Sequence, residues 1–325
     1  MTSRRHRLLI PEHSRPMATV HLALRSGTLH DPPEREGLAH LTGQMLLRGA
    51  GDLSQEQISE KLDYLGSYAG ISVDRHLTSV TADALVRNLD ALQELLQLTL
   101  TKPSFPEEEV QRLKRQRLAE LAQIRDHDSS LGYRFYSRRL FAGHPYGRPG
   151  LGTETSVAAI TRGDLVRFYE DRFSAHAALV AGCGDIDEAR LIAFGEATLG
   201  GLRDDERESF DVGGIAPRDG WRALLIDKPE RSQTQVFMGH PTVSAKHPEH
   251  LPLVLGNMVF GGTFTSRLSQ EIREKRGWSY GVSSRVGADA HVGAVTMRFY
   301  PATEHTGDAI TLAGDMFEEV ARNGV

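Results

Sequence analysis

The stretch best equipped for chemistry is His40-Leu41-Thr42-Gly43-Gln44. Residues four apart lie on one face of a helix, so the pattern His-x-x-Glu-His presents two imidazoles to one metal with a carboxylate base between them. Only the first histidine is kept here. Gly43 stands at the position of the base and Gln44 at that of the second ligand. A catalytic zinc needs three protein ligands and an open position for water, and its ligands are imidazole, thiolate or carboxylate. A carboxamide is a poor donor to that ion, and glycine takes no proton. The sequence therefore predicts that this chain does not hydrolyse peptides by itself and that its function lies elsewhere on the molecule. His40 reads first as a relic hydrogen-bonded inside a helix pair, and second as the remnant of a weak metal site.

The elements that position this stretch follow from periodicity. Arg5 to Pro11 and Met17 to Leu24 read as strands. Pro32 and Pro33 mark a loop before a helix with Leu38, Leu41, Met45 and Leu46 at helical spacing. Ser54 caps a second helix that ends at Gly66. Ser72 to Ala82 reads as one strand, and Leu89 to Leu100 as a third helix. Pro106 opens a long helix with Val110, Leu113, Leu118, Leu121 and Ile124 inward and acids in its first turn. His144 to Pro149 is a loop, Thr161 caps another helix, and Ala177 to Ala181 is a strand. Such runs predict an α+β fold of two homologous α/β halves, each a mostly antiparallel sheet packed with helices.

The polar segment Asp204 to Gly220 reads as a linker between a first half (1–203) and a second half (221–325). The second half repeats the first. Gln44-Met45-Leu46-Leu47-Arg48-Gly49 aligns with Asn257-Met258-Val259-Phe260-Gly261-Gly262 at an offset of 213. Leu65-Gly66-Ser67-Tyr68 aligns with Arg276-Gly277-Trp278-Ser279-Tyr280 at an offset near 211. Leu253, Gly256 and Asn257 fill the motif positions there, so no zinc site is expected in the second half. Gly261-Gly262 reads as a turn. At that offset residue 325 corresponds to Arg112, so the second half is expected to be incomplete, with an exposed apolar face where further helices would pack.

Composition narrows the function. The 325 residues are 39% hydrophobic and 25% charged, ordinary for a globular protein of two domains. A net charge of −5 gives no reason to expect nucleic acid or an anionic membrane. The cluster Arg112, Lys114, Arg115 and Arg117 follows Glu107, Glu108 and Glu109 and reads as a solvated helix face. The single cysteine, Cys183, lies in an apolar run and reads as a buried strand thiol. No apolar run has the length of a membrane span, and Arg4, Arg5 and Arg7 are not followed by the apolar core of a signal peptide. A cytoplasmic location is expected, although a leader already removed would leave the same sequence.

Four segments together resemble the pitrilysin/insulinase-type metallopeptidases, the inverted zincins, in their bacterial branch of short subunits similar to the mitochondrial processing peptidase. They are Gly37 to Ala50, His144-Pro145-Tyr146-Gly147, Ala181-Gly182-Cys183-Gly184-Asp185-Ile186, and Ser266-Arg267-Leu268-Ser269-Gln270-Glu271-Ile272-Arg273-Glu274-Lys275-Arg276-Gly277-Trp278-Ser279-Tyr280. The last resembles the family's segment bearing an arginine and a tyrosine seven residues apart, which makes Arg273 and Tyr280 the counterparts. The resemblance places the third zinc ligand at Gln123 by local alignment, or at Glu120 by residue count. It implies two halves or subunits closing around a chamber, with zinc from one domain and the arginine–tyrosine pair from another.

The leading expectation is a non-catalytic subunit of a heterodimeric zinc peptidase. This chain binds no cofactor; zinc sits in a homologous partner with an intact His-x-x-Glu-His, and short or unfolded peptides are the substrate. Arg273 and Tyr280 hold the substrate at the partner's site. Arg273 could instead serve as a surface ion pair with Glu271 or Glu274, and Arg267 and Arg276 read as surface or capping charges. Two alternatives are a structural subunit, like the core subunits of respiratory complexes, and an independent peptide-binding protein that captures extended segments on a sheet edge.

Overall fold

The computed structural model describes residues 6–206, 212–215 and 220–324. Arg4, Arg5 and, within the expected linker, residues 207–211 and 216–219 lie outside the described residues. The chain divides into two compact units, Met1–Ala122 with Arg148–Phe210, and Gln123–Gly147 with Asp211–Val325.

The first unit begins with β1 (His6–Pro11), β2 (Met17–Leu24) and α1 (Leu38–Met45). A two-stranded ribbon, β3 (Gly49–Ala50) and β4 (Leu53–Ser54), leads to α2 (Gln55–Tyr64). Then come β5 (Tyr68–Val73), β6 (Thr78–Leu85), α3 (Leu89–Thr101) and α4 (Glu107–Ile124). In the second unit, α5 (Asp128–Leu140) follows; α6 (Glu154–Ala159), α7 (Arg162–Arg172), β7 (Leu179–Gly184) and α8 (Glu188–Leu199) return to the first.

The first unit's sheet has the order β1-β7-β2-β6-β5. Only the β1–β7 pair is parallel. Along β2, Ala18, Val20 and Leu22 point into the core, the period-2 pattern of a sheet covered on one face. Ser54 and Thr161 cap α2 and α7, as expected, and the structure adds reciprocal capping boxes with Gln57 and Asp164.

Three readings of the first unit change. Ser72 to Ala82 is not one strand but parts of a hairpin, because the Asp74 carboxylate accepts from the His76 and Leu77 amides, both at 2.7 Å, and turns the chain. Cys183 is exposed rather than buried: Val180 and Gly182 fill the core face of β7, so the next residue points the other way. The basic cluster is not a uniformly solvated face. Arg117 is buried, and Lys114 Nζ caps the end of α6 by donating to the Ala158 and Ile160 carbonyls.

The second unit contains β8 (Val236–Thr242), α9 (His250–Asn257), the short α10 (Arg267–Ser269), β9 (Val282–Gly287), β10 (Gly293–Phe299) and α11 (Thr306–Asn323). Its antiparallel sheet runs β8-β10-β9. Val236, Met238, Phe260, Leu268, Ile272, Met297, Phe299, Ala309 and Ala313 form its core. Helix α5 packs on β8, where Tyr136 stacks on Phe237 and bonds Thr296. Gly261 and Gly262 belong to a π-helical turn, Met258–Gly262, rather than to a loop turn. A Cβ on Gly261 would stand 2.6 Å from Ser284 Cβ, so glycine allows the turn to seat against β9.

The repeat is visible in backbone detail. Gly66 and Gly277 both adopt the left-handed conformation, with φ 55° and 64°. Leu251, Leu255, Met258 and Val259 make an exposed apolar stripe. At the 213-residue offset their counterparts Leu38, Thr42, Met45 and Leu46 are buried.

Candidate functional site

Helix α1 is fixed at its start by Asp31. This buried carboxylate accepts from the Gly37 and Ala39 amides at 2.8 and 2.7 Å, satisfying donors that a helix start leaves open. Gly37 has φ 94°, which favours glycine. Leu38, Leu41, Thr42, Gly43 and Met45 are buried; His40 and Gln44 are only partly so.

His40 faces α4. Its Nδ1 accepts from the Arg117 guanidinium at 3.0 Å, while the same guanidinium donates to Glu120 Oε2 at 2.6 Å. Burial, and then the Arg117 charge, push the His40 imidazolium pKa down to about 4. The ring is therefore neutral at pH 7, with the proton on Nε2 and Nδ1 free to accept. Arg117 was missed because, by residue type, an arginine in a charged helical run reads as part of a solvated face. Its position seven residues after Val110 and four before Leu121, both buried, is the signal that it lies on the inward stripe.

Gln44 turns away from any ligand role. Its Nε2 donates to the Ile71 carbonyl on β5 at 2.9 Å. The counterpart Asn257 donates to the Ser284 carbonyl on β9, also at 2.9 Å. Donor and acceptor are each displaced by 213 residues, so both units use one clasp between a helix end and a strand. Gly43 has a packing reason of its own. A Cβ there would lie 2.6 Å from Val73 Cγ2, so a side chain at this position requires Val73 to give way.

Of the two candidates for a third ligand, Glu120 is held by Arg117, and Gln123 is exposed near the end of α4. Among the described residues no group of three histidine, cysteine, aspartate or glutamate side chains is placed to hold a metal. The donor set does not fit zinc: one imidazole is bonded to a cation, and the amide is committed to the backbone.

In the second unit, Arg273 and Tyr280 come together. Arg273 Cζ lies 5.0 Å from the Tyr280 ring centroid. It also lies 4.0 Å from the ring of Phe264, a residue the sequence did not single out. Arg273 Nε is 3.5 Å from Glu274 Oε1, whereas Glu271 is taken by Lys275 and Arg276. Tyr280 is 84% exposed and Phe264 67%, so both rings stand in solvent around one cation. Arg276 lies over Trp278 and donates to the Glu271 carbonyl, consistent with a surface charge.

The family model described as insulinase, peptidase family M16, matches residues 7–154, and that of the peptidase M16 inactive domain matches residues 159–325. The chain belongs to the peptidase M16 family. An uncharacterized zinc protease of Rickettsia felis is 25% identical over 292 residues, covering 88% of this chain and 68% of the relative. One of Mycobacterium tuberculosis is 27% identical over 301 residues, covering 89% and 66%. The chain thus spans about two thirds of the length of these M16 relatives. A crystal structure of a peptidase M16 inactive domain from Pseudomonas fluorescens matches all of the chain and 80% of its own, with a TM-score of 0.88 and 23% identity. A protease from Helicobacter pylori matches with a TM-score of 0.87 and 15% identity, which shows the shared M16 fold. No helix among the described residues is long and apolar enough to cross a membrane.

Proposed function

We propose that this M16 chain is the non-catalytic subunit of a heterodimeric zinc metallopeptidase, its two halves joined through residues 204–220. Its partner is a homologous subunit with an intact His-x-x-Glu-His, and its substrates are peptides or unfolded polypeptides. The observation that carries this reading is a contrast. The motif helix is closed by Arg117, whereas Arg273 and Tyr280 keep their spacing and touch, with Tyr280 exposed and Arg273 partly so. Several relatives are named as uncharacterized zinc proteases, which supports a metal-dependent partner.

The chemistry asked of the pair is modest. Amide hydrolysis passes through a tetrahedral intermediate with a negative oxygen. Donors fixed in a water-poor site stabilise that charge, each worth about 3 kcal/mol. Tyr280 offers a hydroxyl and Arg273 a planar, permanently charged fork. Neither supplies the nucleophile.

The test is recovery of the full-length protein from its native extract, with a quenched-peptide assay on the eluate. A co-purifying relative bearing His-x-x-Glu-His, with chelator-sensitive cleavage that Arg273→Lys slows, is the expected result. Recovery without such a relative and without cleavage overturns the reading. The exposed stripe Leu251, Leu255, Met258 and Val259 favours a second reading, a structural subunit. Under it, Arg273→Lys leaves any recovered activity unchanged.

A further inference from the structure

Phe264 has no role in the core that explains it. It lies outside the second unit's hydrophobic cluster and is 67% exposed. Its backbone lies in a hydrogen-bonded turn. Ser266 N–H closes a four-residue turn on the Thr263 carbonyl at 3.2 Å, and Gln270 Nε2 donates to the Thr265 carbonyl at 3.1 Å. The turn follows the π-helical segment Met258–Gly262, whose Phe260 and Gly261 are buried. A hydrogen-bonded turn thus carries a large aromatic ring in water, and that ring rests on Arg273, its centroid 4.0 Å from Cζ. This is closer than the Tyr280 ring at 5.0 Å.

A long arginine side chain on a surface samples many rotamers, and each must be given up when the guanidinium engages a ligand. An aromatic ring stacked on its face restricts that sampling beforehand and leaves the N–H edge to bond. Carbonyl and carboxylate oxygens accept in the plane of that edge. Glu274 Oε1 lies 3.5 Å from Nε, on one side of that edge.

We propose that Phe264 is a positioning residue that stacks on Arg273 and presents the guanidinium edge-on to a peptide carbonyl. It rests on the reading that Arg273 serves a partner's site, and it adds a residue that reading does not contain. Leucine at this position would keep the apolar volume but lose the flat face. Tryptophan would keep the face.

The experiment uses the full chain with isotope-labelled arginine, and Arg273→Lys identifies the Arg273 Nε–Hε resonance. In the parent chain that resonance is expected to be shifted by the aromatic rings and slowed in exchange with water. Phe264→Leu should return it most of the way to the position of free arginine, and Phe264→Trp should keep it shifted. The melting temperature should be the same in all three, because Phe264 is outside the core. An unmoved Arg273 resonance in Phe264→Leu overturns the proposal, whatever the activity does. In the recovered assembly, Phe264→Leu should lower kcat about tenfold at unchanged KM, with Phe264→Trp restoring it. Loss of turnover in Arg273→Lys but not in Phe264→Leu also overturns it. Unchanged turnover in Arg273→Lys defeats the subunit reading instead, and the resonance then decides the Phe264 contact separately.

Discussion

The Arg117 guanidinium donates to His40 Nδ1 across 3.0 Å, joining α4 to α1. A cation is thus built into the chain, and the imidazole serves as its acceptor. Arg117 Nε has no hydrogen-bond partner among the described residues, so the buried charge leans on His40 and Glu120. Such a site repels a second cation. Repairing the motif one ligand at a time therefore does not restore it.

Gln44→His should gain no zinc affinity, because Arg117 remains against His40. The variant should also lose about 1 kcal/mol of stability as the Ile71 carbonyl loses its donor. Isothermal titration with zinc and a denaturant melt measure the two effects. Stoichiometric micromolar binding would sink the argument.

Gly43→Ala should destabilise the first unit by about 1–2 kcal/mol. The methyl group meets Val73 Cγ2, and the gain in helix propensity offsets only part of the overpacking. Val73→Ala opens room for it, so the double variant should cost less than the sum of the single ones. Additive costs in a double-mutant cycle would show that the two residues do not compete for space.

Acid should act on His40. Its pKa in the fold is near 4, below the ordinary 6.5, so the unfolded chain binds the proton more readily. The contribution of neutral His40 is complete above pH 6.5 and is lost as pH falls towards 4. His40→Phe should be less acid-sensitive than the parent chain across that window. An unchanged pH slope of chemical denaturation, or a His40 NMR titration near 6.5, would contradict this.

Tyr280→Phe removes the hydroxyl but keeps the ring on Arg273. In the assembled enzyme it should lower turnover by about 10²-fold, the loss of one oxyanion donor, without releasing the subunit. Steady-state kinetics and co-elution measure both. Equal turnover would leave the hydroxyl without a role.

The stripe Leu251, Leu255, Met258 and Val259 should make the isolated 325-residue chain associate. Leu255→Glu should lower light scattering at equal concentration without changing the melting temperature, because the side chain is already in water. If scattering persists, association lies on another surface.

Local chemistry was legible in the sequence. The caps at Ser54 and Thr161, the helix over Leu89 to Leu100, and the absence of a base at Gly43 all depend on residues within a few positions of each other. The internal repeat was legible as well, because a 213-residue offset is a property of the string. The chain also declared the spacing of Arg273 and Tyr280, though not that they touch. What only the tertiary structure decided were relations between distant segments. Arg117 looks like any solvated helix charge until α4 is laid beside α1, because the choice between water and His40 depends on which way the helix is rotated. Gln44 reads as a damaged ligand until Ile71 is brought beneath it, 27 residues along the chain. Gly43 reads as a lost base until Val73 closes on it, and Phe264 reads as a stray aromatic until its turn carries it over Arg273. In each case residue type fixes what a side chain can donate, accept or fill, and packing selects the one neighbour it meets.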